Sequence, residues 1–132
     1  MAGRPPQLAS TAVKLFALRG AITLDANTKS EVDVKTQRLV TEMLARNQID
    51  HDDIVSIIFT ATDDITSEFP AAAARALGLG DVPLLCAREL SIENGMPLCV
   101  RVLMHVQSDS RRAGTHHVYL ENARSLRDDL PE

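Results

Sequence analysis

Three charged residues stand where their neighbours would otherwise predict buried strands. Arg19 ends the run from Val13 to Leu18, Glu89 lies beside Leu90 and near Leu85, and Arg101 lies between Val100 and Val102. Strand alternation gives each an innocent placement, because a residue flanked by apolar neighbours can face water while they face the core. That account is weaker at Arg101, whose own strand face would also display Cys99 and Leu103, which are not typical solvent-facing residues. A desolvated guanidinium requires an anionic partner, and either Glu89 or a bound carboxylate could serve. The chemistry within reach is recognition of a small anion by a placed arginine.

Other chemistries find little support. Cys86 and Cys99 are too far apart for a CxxC pair, and in a reducing cytosol lone cysteines are more often small buried hydrophobes than a bridge. His116 and His117 are adjacent, so on a strand they point to opposite faces and do not easily share a metal. His51 and His105 have no recognisable partner spacing. The net charge of −4 and the 3% of aromatic residues advertise neither a phosphate-tracking face nor a base-stacking platform, so nucleic acid is not an expected partner. No apolar run approaches the ~20 residues of a membrane span, and Lys14 interrupts the one stretch that might resemble a signal-peptide core. A cytoplasmic protein that does not engage a membrane is expected.

The elements that must position these residues follow from length and patterning. At 132 residues, 45% of them hydrophobic, the chain is long enough for one domain with its own core, and association is a common way for so small an enzyme to build a cleft. Residues 1–12, rich in Pro, Ala, Gly and Ser, read as a flexible leader, and 13–132 as the single domain with a mobile C-terminal tail. Val13 to Ile22 is a first strand. Thr28 and Glu31 have capping-box spacing, and Val32, Thr36, Leu39, Val40, Met43 and Leu44 recur at helical intervals until Arg46 and Asn47.

Ile54 to Ala61 has the length and β-branched character of a buried strand. Pro70 suits a first helical position, the alanine-rich stretch to Leu77 favours a short helix, and Gly78 supplies its stop. Val82 to Leu90, Leu98 to Val106 and His117 to Leu120 are further strands, separated by the Glu93-Asn94-Gly95 turn and the polar Ser108 to Thr115 loop. The order β-α-β-α-β-β-β predicts an α+β domain, a mixed β-sheet with helices on one face.

From Phe16 to Leu130 the chain resembles the AroH-class monofunctional chorismate mutases. The residues that carry the resemblance are Arg19-Gly20-Ala21; Ala61-Thr62-x-Asp64 before Phe69-Pro70-Ala71 with Arg75; and Val82-Pro83 leading to Cys86 and Glu89. Cys99-Val100-Arg101-Val102 with Val106-Gln107, and His117-Val118-Tyr119-Leu120-Glu121 with Leu126-Arg127-x-Asp129-Leu130, complete the series in the same order.

The resemblance implies a pseudo-α/β-barrel homotrimer with a cleft at each subunit interface and an isomerase that rearranges chorismate to prephenate without metal or cofactor. A [3,3] shift breaks one carbon–oxygen bond as a carbon–carbon bond forms within one molecule, so the enzyme must supply geometry and charge rather than a nucleophile. By resemblance Arg101 donates to the ether oxygen, a task its planar fork suits better than the point charge of lysine. Arg19 and Tyr119 would hold the side-chain carboxylate, while Glu89 and Cys86 would meet the ring hydroxyl. Phe69 would come from the neighbouring subunit as an apolar wall, and Arg75 as a charge near the mouth. Leu126 and Arg127 would belong to a mobile segment that closes over substrate.

Read without the family, Arg19 and Arg75 are surface charges, Tyr119 a half-buried strand aromatic, Cys86 plain core, and Phe69 a hydrophobic staple for the short helix. Cys86 and Glu89 are an odd number of residues apart, so the strand is expected to end or bulge between them. Leu85 stands where the family pattern has a small polar residue, which would alter ring-hydroxyl contacts near Cys86. A competing function is a non-catalytic trimeric binding module for a small carboxylate, in which Arg101 would contribute charge alone.

Overall fold

The computed structural model describes residues 13–108 and 115–127. The expected leader, residues 1–12, and the end of the expected tail, residues 128–132, lie outside the described residues. The chain forms β1 (Lys14–Thr23), α1 (Lys29–Arg46), β2 (Ile54–Ala61), α2 (Pro70–Ala74), β3 (Leu84–Arg88), β4 (Cys99–Ser108) and β5 (Val118–Leu120). Short 3-10 turns at His51–Asp53 and Glu121–Arg127 complete the described elements. The predicted α+β order is therefore observed.

Thr28 caps α1 by accepting the Glu31 N–H at 3.1 Å. The return half of the capping box goes elsewhere, because the Glu31 carboxylate accepts from the Asp25 N–H at 2.8 Å and pins the chain entering the helix. Val32, Leu39, Val40 and Met43 are fully buried along one stripe of α1. Each such side chain contributes on the order of 1.5–3 kcal/mol, which outweighs the modest helix propensity of its β-branched members.

The second helix departs from the expected form. α2 is regular only to Ala74, and Arg75–Leu79 continue as a wider π-type turn. Gly78, at φ 104°, occupies the left-handed region and ends the winding where predicted. β3 is shorter than the predicted Val82 to Leu90 because Pro83 has no N–H to give the ladder. Its carbonyl accepts from Ile57 N at 3.0 Å, and regular pairing starts at Leu84.

The sheet order is β3-β2-β4-β1-β5. β4 lies at its centre, antiparallel to both β1 and β2, while β3 and β5 join β2 and β1 in parallel. One face packs Leu18, Ile22, Phe59, Val102 and Met104 against both helices. Among the described residues the other face, which neither α1 nor α2 covers, carries a smaller cluster of Ala21, Cys99, Tyr119 and Ala123, with Met96 and Leu126 at its margin. Alternation sends Arg19, Arg101 and Thr60 to this second, uncovered face.

Candidate active site

A single row of residues crosses the uncovered face. Tyr119 lies opposite Ala21, Ala21 opposite Arg101, Arg101 opposite Thr60, and Thr60 opposite Ala87, so five strands contribute one residue each. Ala21 is the small member between Tyr119 and Arg101. Two strand spacings separate those backbones by about 10 Å, and Ala21 between them is fully buried, with Tyr119 nearly so, because the C-terminal segment packs Ala123 against them. Arg19 stands on the same face, two residues before Ala21.

Arg101 is held rather than loose. Its Nε lies 3.4 Å from Glu89 Oε2, with side chains 46% and 21% exposed respectively. The Thr60 hydroxyl donates to the same Glu89 oxygen, and Glu89 N donates to Ala61 O at 2.9 Å, which fixes the glutamate's backbone. Beside Arg101, Cys99 is almost wholly buried. Burial pushes its thiol up to about 11, against the opposing pull of the Arg101 charge. Cys99 is therefore a neutral, dry floor next to the cation.

The start of β4 is set by the Thr62-x-Asp64 motif. Thr62 Oγ1 accepts from Cys99 N at 3.0 Å and donates to Asp64 Oδ1 at 2.5 Å, while both Asp64 oxygens accept from Leu98 N at 3.0 and 3.2 Å. This clamp holds Leu98 at φ 49°, a left-handed conformation costing roughly 1–3 kcal/mol for a residue with a side chain. Three residues later the register delivers Arg101 to the uncovered face.

At the far end of the row, β5 turns into the C-terminal 3-10 segment at Glu121, whose φ is 55°. Arg38 Nη1 donates to Glu121 Oε2 at 2.6 Å, and Lys35 Nζ lies 3.3 Å from the same oxygen. These two cations hold the Glu121 carboxyl below its ordinary range, with the Arg38 hydrogen bond the larger cause. Asn122 N donates to Thr23 Oγ1 at 3.1 Å, and Ala123 is buried against Ala21, Cys99 and Tyr119. Leu126 packs on that cluster. The side chain of Arg127 lies outside the described residues.

A second feature lies on the helix-bearing side of the sheet. Cys86 pairs with the core residue Phe59, packs on the main core, and accepts from Ala71 N at 3.4 Å. It lines a cavity of about 400 Å³ with Ala61, Thr62, Phe69, Pro70 and Arg88. Phe69 is 67% exposed, so it is not the hydrophobic staple of α2 that its place before Pro70 suggests. Arg75 is exposed one and a half turns along the same winding and does not line the cavity. Leu85 lies on the uncovered face, opposite Ile58, and is exposed.

One copy of the chain thus gathers Arg19, Arg101, Glu89, Tyr119 and Leu126 on one face, and Cys86 with Phe69 around a cavity on the other. Glu89 and Cys86 do not meet. β3 does end between them, at Arg88, yet the ending leaves Glu89 on Arg101's side. Sequence reasoning passed over Thr60 and Arg88. Thr60 was legible as the one polar side chain between Ile57 and Ala61, while Arg88 was masked by its charged neighbour Glu89.

Among the described residues no cluster of His, Cys, Asp and Glu could hold a metal ion, and no helix is long and apolar enough to cross a membrane. A family model for chorismate mutase type I matches residues 15–130. A chorismate mutase AroH from Thermus thermophilus is 41% identical over 114 residues, covering 86% of this chain and 93% of that protein. One from Bacillus subtilis is 38% identical over 114 residues, covering 86% and 90%. The solved structure of a chorismate mutase from Clostridium thermocellum superposes with a TM-score of 0.80 at 42% identity, covering 83% of this chain and 98% of that one. With most of its length matched in sequence and fold alike, the chain belongs to the type I chorismate mutase family, a family of isomerases.

Proposed function

We propose that the single domain rearranges chorismate to prephenate, on the route to phenylalanine and tyrosine, in a cleft completed by a neighbouring copy in a cytoplasmic homotrimer. The observation that carries this reading is the placement of Arg101: central strand, uncovered face, anchored by Glu89 over the neutral Cys99. A guanidinium held in that way is preorganised, so it can meet charge as it develops without first reorganising.

The substrate is a flexible dianion, and the reaction requires it folded into a compact chair while negative charge grows on the ether oxygen. Arg101 donates to that oxygen. Arg19 and Tyr119, on the same face as Arg101, hold the side-chain carboxylate, and Glu89 accepts from the ring hydroxyl. The exposed wall formed by Phe69 and the thiol of Cys86 faces the substrate from the neighbouring copy, with Arg75 near the mouth. Leu126 and Arg127 border the remaining opening. No group of the chain needs to form a bond to substrate; the barrier falls through confinement and charge.

The purified chain, mixed with chorismate alone, is expected to deplete substrate absorbance as prephenate appears. Arg101→Lys is expected to lower kcat by about 10²–10³-fold with a smaller change in KM, because lysine keeps the charge and loses the planar fork. A carboxylate-binding module that only senses or carries its ligand would show no turnover and a mild binding defect in the same variant.

A further inference from the structure

We propose that Thr60 is a positioning residue for the rearrangement, which keeps Glu89 from closing onto Arg101 and so holds the arginine fork open for substrate. The inference rests on the chorismate mutase reading of the site and adds a residue to it.

Thr60 lies directly opposite Arg101 across β2 and β4. Its hydroxyl donates to Glu89 Oε2, the oxygen that Arg101 Nε approaches at 3.4 Å. A carboxylate beside a guanidinium ordinarily prefers two parallel hydrogen bonds, which would engage two of the arginine's donors. With Oε2 already accepting from Thr60 and the Glu89 backbone pinned to Ala61 O, the carboxylate comes no closer to the guanidinium than 3.4 Å, at Nε, longer than a charge-assisted hydrogen bond. The terminal Nη donors then remain for substrate, and Oε1 is the oxygen left to accept from a hydroxyl. The Thr60 hydroxyl thus sets the orientation of two groups that touch substrate and touches none itself.

Thr60→Val keeps the shape and β-branching and removes the donor. Glu89 then turns toward Arg101, and kcat is expected to fall by about 10- to 100-fold, the range for losing a hydrogen bond to a charged group, with KM changing less. Thr60→Ser restores the donor and is expected to recover most of that loss. In a Glu89→Gln background the neutral amide no longer competes for the guanidinium, so adding Thr60→Val is expected to have little further effect, a coupling that a double-mutant cycle reads directly.

A wild-type rate in Thr60→Val overturns the role, as does a Thr60→Ser variant no better than Thr60→Val, or an equal Thr60→Val loss with and without Glu89. A wild-type chain that does not convert chorismate overturns the reading of the site itself. Thermal melts of the four variants accompany the kinetics, and a Thr60→Val loss that follows unfolding rather than kcat also overturns the role.

Discussion

Cys86 and Glu89 are three residues apart and point to opposite faces of the sheet, one toward the helices and the other toward Arg101. Two side chains expected to meet one hydroxyl are therefore separated by the thickness of a sheet within a single copy. If both serve one substrate, they belong to different copies, and the cavity holding Cys86 and Phe69 faces the Arg101–Glu89 pair of a neighbour.

Complementation between two inactive variants tests that arrangement. Arg101→Ala disables the arginine side, and Phe69→Asp places an anion against a dianionic substrate at a residue exposed enough for the fold to tolerate the change. Each variant alone is expected to be nearly inert. When the two are refolded together in equal amounts, about a quarter of the junctions in a cyclic trimer should pair an intact arginine side with an intact cavity, so about a quarter of the wild-type rate should return. Were both halves drawn from one copy, no mixture could rebuild a site, and the mixed sample would stay inert.

The fold was readable in the chain because its signals are local. Thr28 and Glu31 mark a cap, apolar residues recur along α1, and Gly78 ends a helix at a position where only glycine is easy. Arg101 was readable for the same reason: a charge between two valines, on a face shared with a cysteine, requires an explanation. The placements of Phe69 and Thr60 were not, because they depend on packing and on register. Nothing near Phe69 in sequence says that its ring stays exposed, and only the β2–β4 pairing puts Thr60 opposite Arg101. Alternation likewise gave the faces of Cys86 and Glu89, and β3 ends between them, at Arg88.

Gly20 shows how the Arg19-Gly20-Ala21 motif divides its work. Arg19 and Ala21 serve the uncovered face, while Gly20 faces α1, where an added Cβ would lie 2.6 Å from Met43 Sδ and 3.1 Å from Leu39 Cδ1. Gly20→Ala is expected to push α1 from the sheet and destabilise the chain by about 1–3 kcal/mol, with KM for chorismate nearly unchanged. Urea unfolding beside steady-state kinetics checks both halves. A KM that rises steeply while the urea midpoint holds would place Gly20 in substrate binding instead.

Recognition of a dianion by several arginines should respond to salt, although the chain's own net charge is −4. The potential within a cleft depends on the charges lining it more than on the total, and a screening length near 10 Å at 0.1 M ionic strength is comparable with the spacing of the proposed charges. Raising ionic strength is expected to increase KM more than it lowers kcat, since a guanidinium locked on the ether oxygen inside a closed cleft is screened less than the approach of free substrate. A KM independent of salt would argue against arginine-led binding.

The latch at Glu121 gives stability a defined dependence on acidity. Hydrogen bonds and charge from Arg38 and Lys35 lower the folded-state pKa of Glu121 from its ordinary value of 4.5, so the folded chain binds this proton less tightly than the unfolded one. The contribution is complete above the unfolded value and is lost as pH falls through the lower, folded value. Lys35 lies in a different window. Burial works against its charge, but the Glu121 bond and the charges of Glu121, Asp25 and Glu31 prevail and raise it, so its share is present at neutral pH and is lost only in alkali. Glu121→Gln removes the acidic titration. Wild-type and variant unfolding midpoints should therefore differ most near neutrality and converge as pH falls below 4.5 and on through the lower, folded value, where the carboxylate takes up its proton. The same substitution loosens the segment that carries Leu126, so KM should rise at neutral pH while kcat holds. A gap between the two midpoints that stays constant from neutrality into acid would show that Glu121 acts through shape and not through its charge.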